Sequence, residues 1–186
     1  HSQPRNRHLP QQTIPMESIV FDDDDSYCNT LPFISESVWT RDFGPVGVLV
    51  GNDDNDTESL ALINMRYRRY RERPGDNALP CTIASIYEDW PCYELGLIID
   101  GGNLMSDGVG NLFTTPRTYD WNPDFSPEEV NDLLKIYFGA ETIHALEYAK
   151  DPQGKPLDGT GHIDMFAKIV DPCIVIVAKT ESEVFT

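Results

Sequence analysis

The chain has 186 residues, of which 40% are hydrophobic and 24% are charged, as expected for one globular domain with a hydrophobic core. Fourteen Lys and Arg residues against 31 Asp and Glu residues give a net charge of −17, which disfavours nucleic acid and anionic membranes and favours cationic ligands. The longest apolar run, residues 173–178, is too short to cross a bilayer and predicts a buried strand instead.

The first 34 residues are predicted to form an extended arm that ends in an acidic turn, ahead of a folded domain over residues 35–186. The arm is polar, has no apolar stretch of the kind that signal peptides contain and lacks an initiator Met, so we expect a processed, exported protein. The turn carries four consecutive carboxylates, Asp22, Asp23, Asp24 and Asp25. Such oxygens can bind Ca²⁺, but a run without glycine-punctuated spacing is typical of a solvated surface, so no cofactor is expected.

The elements that follow are predicted to be a hairpin, a helix and a strand. Residues 46–50 and 59–64 are apolar segments separated by a polar turn, and they predict the hairpin. Residues 78–90 predict a short helix, and residues 95–99 predict a strand. Between hairpin and helix, residues 65–73 contain five arginines. In so acidic a protein, this local inversion of charge indicates a loop that faces an anion or offsets neighbouring carboxylates.

The same order of elements follows a second time. A hairpin over residues 104–115, a helix over residues 126–138 and a strand over residues 142–148 are predicted. Ser126 is an N-cap followed by proline at N1 and glutamate at N3, which marks the helix start, and Gly139 marks its end. Each unit is a ββαβ module.

A third unit begins near the end of the sequence, with one strand running through Lys168 and a partner strand starting at Cys173. The chain therefore holds about two and a half ββαβ modules. Repeats of this kind stack or close into a ring, and two and a half modules are too few to close one.

The stretch ahead of this last strand pair is the strongest candidate for chemistry. A glycine-containing loop over residues 158–161 leads into His162 and Asp164, which in an extended strand point to the same face, while Ile163 points into packing. A titratable imidazole beside a carboxylate suits proton transfer. The alternative is a surface His and Asp at the start of a strand.

Two earlier segments carry further candidates. Asp42 follows Arg41, a pairing that is often a structural ion pair, and Trp39 either packs in the core or walls a cationic pocket. Residues 100–103 form an Asp-Gly-Gly-Asn turn, where the two glycines allow a ligand to approach the backbone closely.

Taken together, residues 39–45, residues 100–108 with Thr114 and Thr115, and residues 161–164 resemble one family in order and spacing. This family is the guanidino-modifying hydrolases of the agmatine deiminase and bacterial-type (Porphyromonas-type) peptidylarginine deiminase group. The resemblance covers roughly residues 35–180. It implies an α/β fold, namely a five-bladed α/β propeller (pentein) of ββαβ modules with the active site at its axis. This chain would supply about the first half.

The resemblance also implies roles for individual residues. Asp42 and Asp164 would clamp the guanidinium of the substrate, since two carboxylates can bind its planar fork of N–H donors from two sides. His162 would be the general acid and base. The nucleophile of the family is a cysteine thiolate that forms a covalent thiouronium intermediate. Further residues expected to bind substrate are Trp39, Arg41, Gly102 and Asn103.

The position of the nucleophile departs from the family pattern, because the family cysteine lies beyond the last residue of this sequence. Cys173 lies in an apolar run rather than in an electropositive loop, so it is disfavoured as the nucleophile. We expect the thiolate on a C-terminal segment of the same precursor, cleaved into a second chain or absent here; an inactive relic is the other possibility. Cys81 and Cys92 form either a disulfide or two buried thiols.

The substrate depends on the basic loop. Arg71 and Arg73 resemble the two-arginine segment with which the bacterial peptidylarginine deiminases bind the α-carboxylate of a C-terminal arginine, although Arg66, Arg68 and Arg69 compete for that role. Conversion of peptidyl-arginine to peptidyl-citrulline and ammonia is therefore favoured. The alternatives are conversion of agmatine to N-carbamoylputrescine by a cytoplasmic enzyme, transfer of an amidino group, or a non-catalytic binding module. Neither nucleic acid nor membrane is expected as a partner.

Overall fold

A computed structural model describes residues 14–15, 34–52, 57–86, 90–172 and 174–179. Strand β1 (Ile14–Pro15) pairs antiparallel with β2 (Ile34–Ser35). Most of the predicted arm lies outside the described residues, as do the four acidic residues Asp22, Asp23, Asp24 and Asp25. No helix in the described ranges is long and apolar enough to cross a membrane.

The first ββαβ module is present as predicted, with one shifted helix. Its elements, after the short helix α1 (Thr40–Phe43), are β3 (Val46–Asn52), β4 (Thr57–Arg66), α2 (Pro74–Ala84) and β5 (Cys92–Ile98). β3 and β4 are antiparallel, and β4 and β5 are parallel. The predicted bounds of α2, residues 78–90, were wrong. The helix already begins at Pro74, where the side chain of Glu36 caps its first turn. Its Oε2 accepts from Gly75 N at 2.7 Å and Asp76 N at 3.2 Å.

The second module repeats this topology. Its elements are β6 (Met105–Ser106), β7 (Asn111–Thr114), α3 (Arg117–Asp120), α4 (Pro127–Phe138) and β8 (Thr142–Ala145). β6 and β7 are antiparallel, whereas β7 and β8 are parallel. The predicted helix ends are confirmed: Ser126 and Glu129 form a capping box, and Gly139 ends the helix with φ 63°.

A third hairpin follows, in which β9 (Ala167–Asp171) pairs antiparallel with β10 (Ile174–Val177). The prediction that the apolar run of β10 is buried was wrong, since its four side chains are 45–60% exposed. In the part of the chain that the structure describes, β9 is the strand neighbour of β10, so the hairpin is a two-stranded ribbon. Ala167 of β9 is buried in a cluster with Met105 and Ile163, whereas β10 is exposed. The described residues thus form two complete ββαβ modules and the hairpin of a third.

The main core lies between the sheets of the two complete modules and α4. Its largest fully buried aliphatic side chains are Ile63, Leu97, Ile99, Val130 and Leu134. A disulfide joins Cys81 in α2 to Cys92, the first residue of β5. Of the two alternatives for Cys81 and Cys92, the structure therefore shows the disulfide, which links α2 covalently to β5.

Each module begins with a short helical turn immediately before its first strand. These three opening turns are α1 before β3, a 3-10 turn (Gly101–Asn103) before β6, and a second 3-10 turn (Ile163–Met165) before β9. The prediction that His162 and Asp164 lie on a strand was therefore wrong. Backbone bonds from Met165 N to His162 O and from Phe166 N to Ile163 O close the third turn, and β9 starts only at Ala167.

Candidate active site

The three opening turns bring the predicted catalytic side chains together around Gly102. A Cβ atom built on Gly102 would lie 2.7 Å from Asp42 Oδ1, 2.8 Å from Asp164 Oδ2 and 2.9 Å from His162 Nδ1. Only glycine leaves room for three polar side chains to converge on one backbone position in this way. The local sequence thus creates a small space that is bordered by two carboxylates and an imidazole.

Asp42 is the first of these carboxylates, and its side chain is 16% exposed. Its Oδ1 accepts a hydrogen bond from Gly102 N at 3.2 Å and lies 3.6 Å from His162 Nδ1. Burial raises the pKa of Asp42, and the negative charges of Asp100 and Asp164 raise it further, while His162 and the Gly102 N–H oppose the rise. The alternative of a structural ion pair with Arg41 is not supported, because the Arg41 guanidinium donates to Leu104 O instead.

Asp164 is the second carboxylate and belongs to an exposed residue of the third turn. Burial of its carboxyl end raises the pKa, with a further contribution from Asp158, and the cationic forms of His162 and Arg41 act against this rise. Both carboxylates are therefore held in surroundings that resist their negative charge. A bound cation would remove that cost.

His162 lies between Asp42 and a residue that the sequence analysis did not single out, Asp100. The imidazole is 4% exposed, and its Nε2 is 3.3 Å from Asp100 Oδ2. The N–H direction is not aligned for a regular hydrogen bond, so the contact is primarily electrostatic. Trp121 packs its ring edge-on against the imidazole, with centroids 5.9 Å apart and planes at 82°.

Asp100 is fully buried and bonded to Arg68. Its Oδ1 accepts from Arg68 N at 2.9 Å and its Oδ2 from Arg68 Nε at 3.0 Å. Burial alone would raise the pKa of Asp100, but the contacts with His162 and Arg68 outweigh it and lower the pKa. Asp100 is thus an ionised partner of the histidine. The sequence contains one indication that Asp100 is functional, because this residue follows a predicted strand and directly precedes the glycine pair.

Asp42, Asp100 and His162 offer three ligand atoms within 4.8 Å of one another. A divalent cation would have to compete with Arg68 for the oxygens of Asp100. The arrangement therefore fits a carboxylate that positions a histidine better than it fits a metal centre.

Asn103, expected to contact substrate, is fully buried and bonded within the protein. Its Nδ2 donates to Thr118 Oγ1 at 3.2 Å, and its Oδ1 accepts from Thr115 Oγ1 at 2.9 Å and from Ile163 N at 3.2 Å. Thr115 shares its hydroxyl with Gly161 O at 2.8 Å. These contacts fasten the second opening turn to the third, so the Asn103 side chain shapes the site from within the protein.

Trp39 and Arg41 flank Asp42 on α1. The Trp39 side chain is 58% exposed and is available to a ligand. Arg41 is also exposed, and its Nη2 donates to Leu104 O at 3.3 Å, which ties the first turn to the second. Arg41 also borders a cavity of about 1000 Å³, lined by residues of the first strands of the three modules and the end of α4.

The two arginines proposed to bind a carboxylate have different surroundings. Arg71 is exposed, stacks over the Tyr70 ring at 5.4 Å and donates to Tyr70 OH. Arg73 is half-buried and donates through Nη1 to Tyr67 OH at 3.1 Å. Burial raises the pKa of Tyr67; Arg73 opposes that rise and Asp100 adds to it. Arg73 is thus linked to the site through Tyr67.

The described residues contain two of the four cysteines, and both are in the disulfide. Cys28 and Cys173 lie outside the described residues.

Comparison with known proteins relates this chain to one family. The sequence model of the Porphyromonas-type peptidyl-arginine deiminases matches residues 8–184. An agmatine deiminase from Pseudomonas fluorescens is 29% identical over 159 residues, and one from Pseudomonas syringae pv. tomato is 28% identical over 159 residues. Each alignment covers 79% of this chain and 40% of the relative, so the chain spans less than half the length of these proteins.

Solved structures give the same result for the fold. The agmatine deiminase of Enterococcus faecalis superimposes with a TM-score of 0.62 at 24% identity, over 78% of this chain and 40% of that protein. The agmatine deiminase of C. jejuni superimposes with a TM-score of 0.61 at 20% identity, over 83% and 44%. The fold is therefore the α/β pentein fold of these deiminases. Because the family model covers nearly the whole sequence, the chain belongs to the Porphyromonas-type peptidyl-arginine deiminase family.

Proposed function

We propose that this chain forms the guanidinium-binding and proton-transfer half of an active site that hydrolyses a guanidino group. The observation that carries the proposal is the convergence of Asp42, Asp164 and His162 on Gly102. Two carboxylates whose charge is opposed by burial, beside one imidazole, match a planar cation with N–H donors on two edges. The net charge of −17 adds long-range attraction for such a substrate.

In the proposed reaction, Asp42 and Asp164 accept hydrogen bonds from the guanidinium and fix its carbon for attack. A thiolate adds to that carbon, and His162 gives its proton to the departing nitrogen, which leaves as ammonia. The remaining thiouronium carbon is attacked by water, whose proton returns to His162. Collapse of this adduct expels the thiolate, releases the second proton of the water to solvent and leaves a neutral ureido group, so the enzyme returns to its starting state.

The thiolate is proposed to come from a further segment of the same precursor. The described cysteines are joined in a disulfide and cannot act as nucleophiles. The relatives are more than twice the length that this chain covers. With that segment, we propose that the two modules and the third hairpin complete a five-bladed propeller around the site.

We favour an arginine residue with a free carboxylate as the substrate. Arg73 is linked to the site through Tyr67 and can supply a fork for that carboxylate. The Cys81–Cys92 disulfide supports an oxidising compartment and hence an exported protein that meets peptides. Agmatine, which has no carboxylate, is the second candidate, and the names of the relatives favour it.

Ammonia release from the full-length protein tests both points. We expect turnover of a peptide that ends in arginine to exceed that of agmatine, and Arg73→Ala to lower kcat/KM for the peptide while sparing agmatine. Arg71→Ala is the matched control, since Arg71 is exposed and its guanidinium is held on the Tyr70 ring. A folded protein that releases no ammonia from either compound, or from free arginine, would contradict the proposed function. Equal losses with peptide and agmatine would contradict only the carboxylate role.

A further inference from the structure

Arg68 is the cation that holds the buried carboxylate behind His162. Asp100 is 0% exposed, and both of its oxygens accept hydrogen bonds from Arg68, one from the backbone N–H and one from the guanidinium Nε. The Arg68 side chain itself is 37% exposed, so part of it reaches solvent. A buried carboxylate that is fixed at two points has one orientation, and here that orientation faces His162 Nε2.

Arg68 also contacts the second neighbour of the imidazole. Its guanidinium lies over the Trp121 ring at 5.1 Å from the centroid, and the same ring packs edge-on against His162. Arg68 thus touches both Asp100 and Trp121, and each of these side chains contacts the His162 ring.

We propose that Arg68 is a positioning residue for the reaction: by fixing Asp100 and Trp121, it places the ring proton of His162 on Nε2 and turns Nδ1 toward the carboxylate pair. The proposal rests on the function proposed above for the step that His162 performs. Its structural part, the location of the ring proton, is independent of turnover.

The physical reason is the charge of Asp100. An ionised carboxylate beside Nε2 attracts an N–H and repels a lone pair. Once His162 has given a proton to the departing nitrogen, the neutral imidazole therefore keeps its remaining proton on Nε2 and presents the Nδ1 lone pair to the attacking water. The Arg68 guanidinium is one of the causes that lower the pKa of Asp100 against its burial. Without that guanidinium, burial favours the protonated acid, which donates to Nε2 and moves the imidazole proton to Nδ1.

Arg68→Met is the most direct variant, because it keeps an apolar stem over Trp121 and the backbone bond to Asp100 but removes the charge and the Nε donor. Histidine labelled with ¹⁵N reports the tautomer through the shifts of its two ring nitrogens. With four histidines in the chain, the His162 signals are assigned by their loss in His162→Gln. At a pH where the imidazole is neutral, we expect the Nε2–H form in the wild type and mainly the Nδ1–H form in Arg68→Met.

Arg68→Lys and Arg66→Ala complete the set. Lysine restores the charge without the planar donor, so its tautomer ratio should fall between those of wild type and Arg68→Met; this variant alone decides the matter if Arg68→Met does not fold. Arg66 is the last residue of β4, with its guanidinium over Tyr70 at 5.3 Å, so Arg66→Ala should keep the Nε2–H form. Wild-type tautomer ratios in every folded Arg68 variant would overturn the proposal.

Kinetics with the full-length protein separate this inference from the proposed function. Loss of the Arg68 guanidinium should lower kcat by about tenfold to a hundredfold, as is typical for partners that orient a functional histidine. KM should change little, because Arg68 does not contact the two carboxylates that bind substrate. An altered tautomer in a protein that releases no ammonia would leave the positioning role intact and reject the deiminase function. Full kcat with an altered tautomer would reject the role in catalysis.

Discussion

Gly102→Ala tests whether the space bordered by Asp42, Asp164 and His162 is where chemistry occurs. The new methyl carbon would lie 2.7–2.9 Å from one atom of each side chain, short of the 3.4 Å of ordinary contact by 0.5–0.7 Å. All three functional atoms must therefore move by about half an ångström or more, which exceeds the roughly 0.5 Å tolerance of a productive site. Because a displacement of about 1 Å costs about a hundredfold, we expect kcat/KM to fall by about that factor.

The assay is ammonia release from a guanidino substrate by the full-length protein, read together with a thermal melt. Overpacking of a buried position costs about 1–3 kcal/mol, so the variant should be destabilised but remain folded. Gly47→Ala is the matched control: its methyl would lie 3.2 Å from the end of the flexible Leu60 side chain in the first module, and activity should be retained. Near-normal kcat/KM in a folded Gly102→Ala protein would refute the assignment of this space as the active site.

Three further predictions concern charge and burial. Asp42→Asn and Asp164→Asn should each nearly abolish turnover yet raise the free energy of unfolding at neutral pH, because each replaces a carboxylate whose folded-state pKa is raised. The gain should be about 0.5–2 kcal/mol for Asp42 and smaller for Asp164, whose charge is exposed and screened by solvent; chemical denaturation measures this, and a loss of stability would contradict it. Because the pKa values of both carboxylates are raised, kcat/KM should fall on acidification with a midpoint above pH 3.8, the ordinary pKa of Asp, since cation binding needs ionised carboxylates. A fall in kcat/KM with a midpoint at or below pH 3.8 would count against guanidinium binding by these two carboxylates. Asn103→Ala should lower the free energy of unfolding by about 1–3 kcal/mol, because it leaves the buried Ile163 N–H without its acceptor and removes the bonds to Thr115 and Thr118; an unchanged melting temperature with a raised KM would instead favour direct substrate contact.

The architecture could be predicted because its signals are local. Ser126 at the N-cap and Gly139 at the C-cap mark the two ends of α4 through residues next to each end. Apolar segments separated by polar turns predict the hairpins. Once these elements recur in one order, the module follows. The start of α2 could not be predicted in this way, because the cap comes from Glu36, which is about 40 residues away in sequence.

The same distinction between local and distant signals applies to the residues of the site. Asp42, His162 and Asp164 could be proposed because their motifs are short and carry recognisable chemistry. Their surroundings could not, because the contacts of Asp100 with Arg68 and His162 span 32 and 62 residues of sequence. The strand predicted for His162 and Asp164 was wrong for a local reason: a 3-10 turn places both side chains toward Gly102 without alternation.

The directions in which the pKa values of Asp42, Asp100 and Asp164 are shifted support the proposed roles more clearly than the positions of these side chains do. Asp100 is the most deeply buried of the three, yet its pKa is lowered, because the Arg68 guanidinium and His162 compensate its charge within the protein. Asp42 and Asp164 are less buried, yet their pKa values are raised, because the protein provides them with less compensation. Surroundings that shift neighbouring acids in opposite directions separate a permanently charged partner from groups reserved for a ligand. The proposed guanidinium ligand, a cation with hydrogen-bond donors on two edges, would complete this balance.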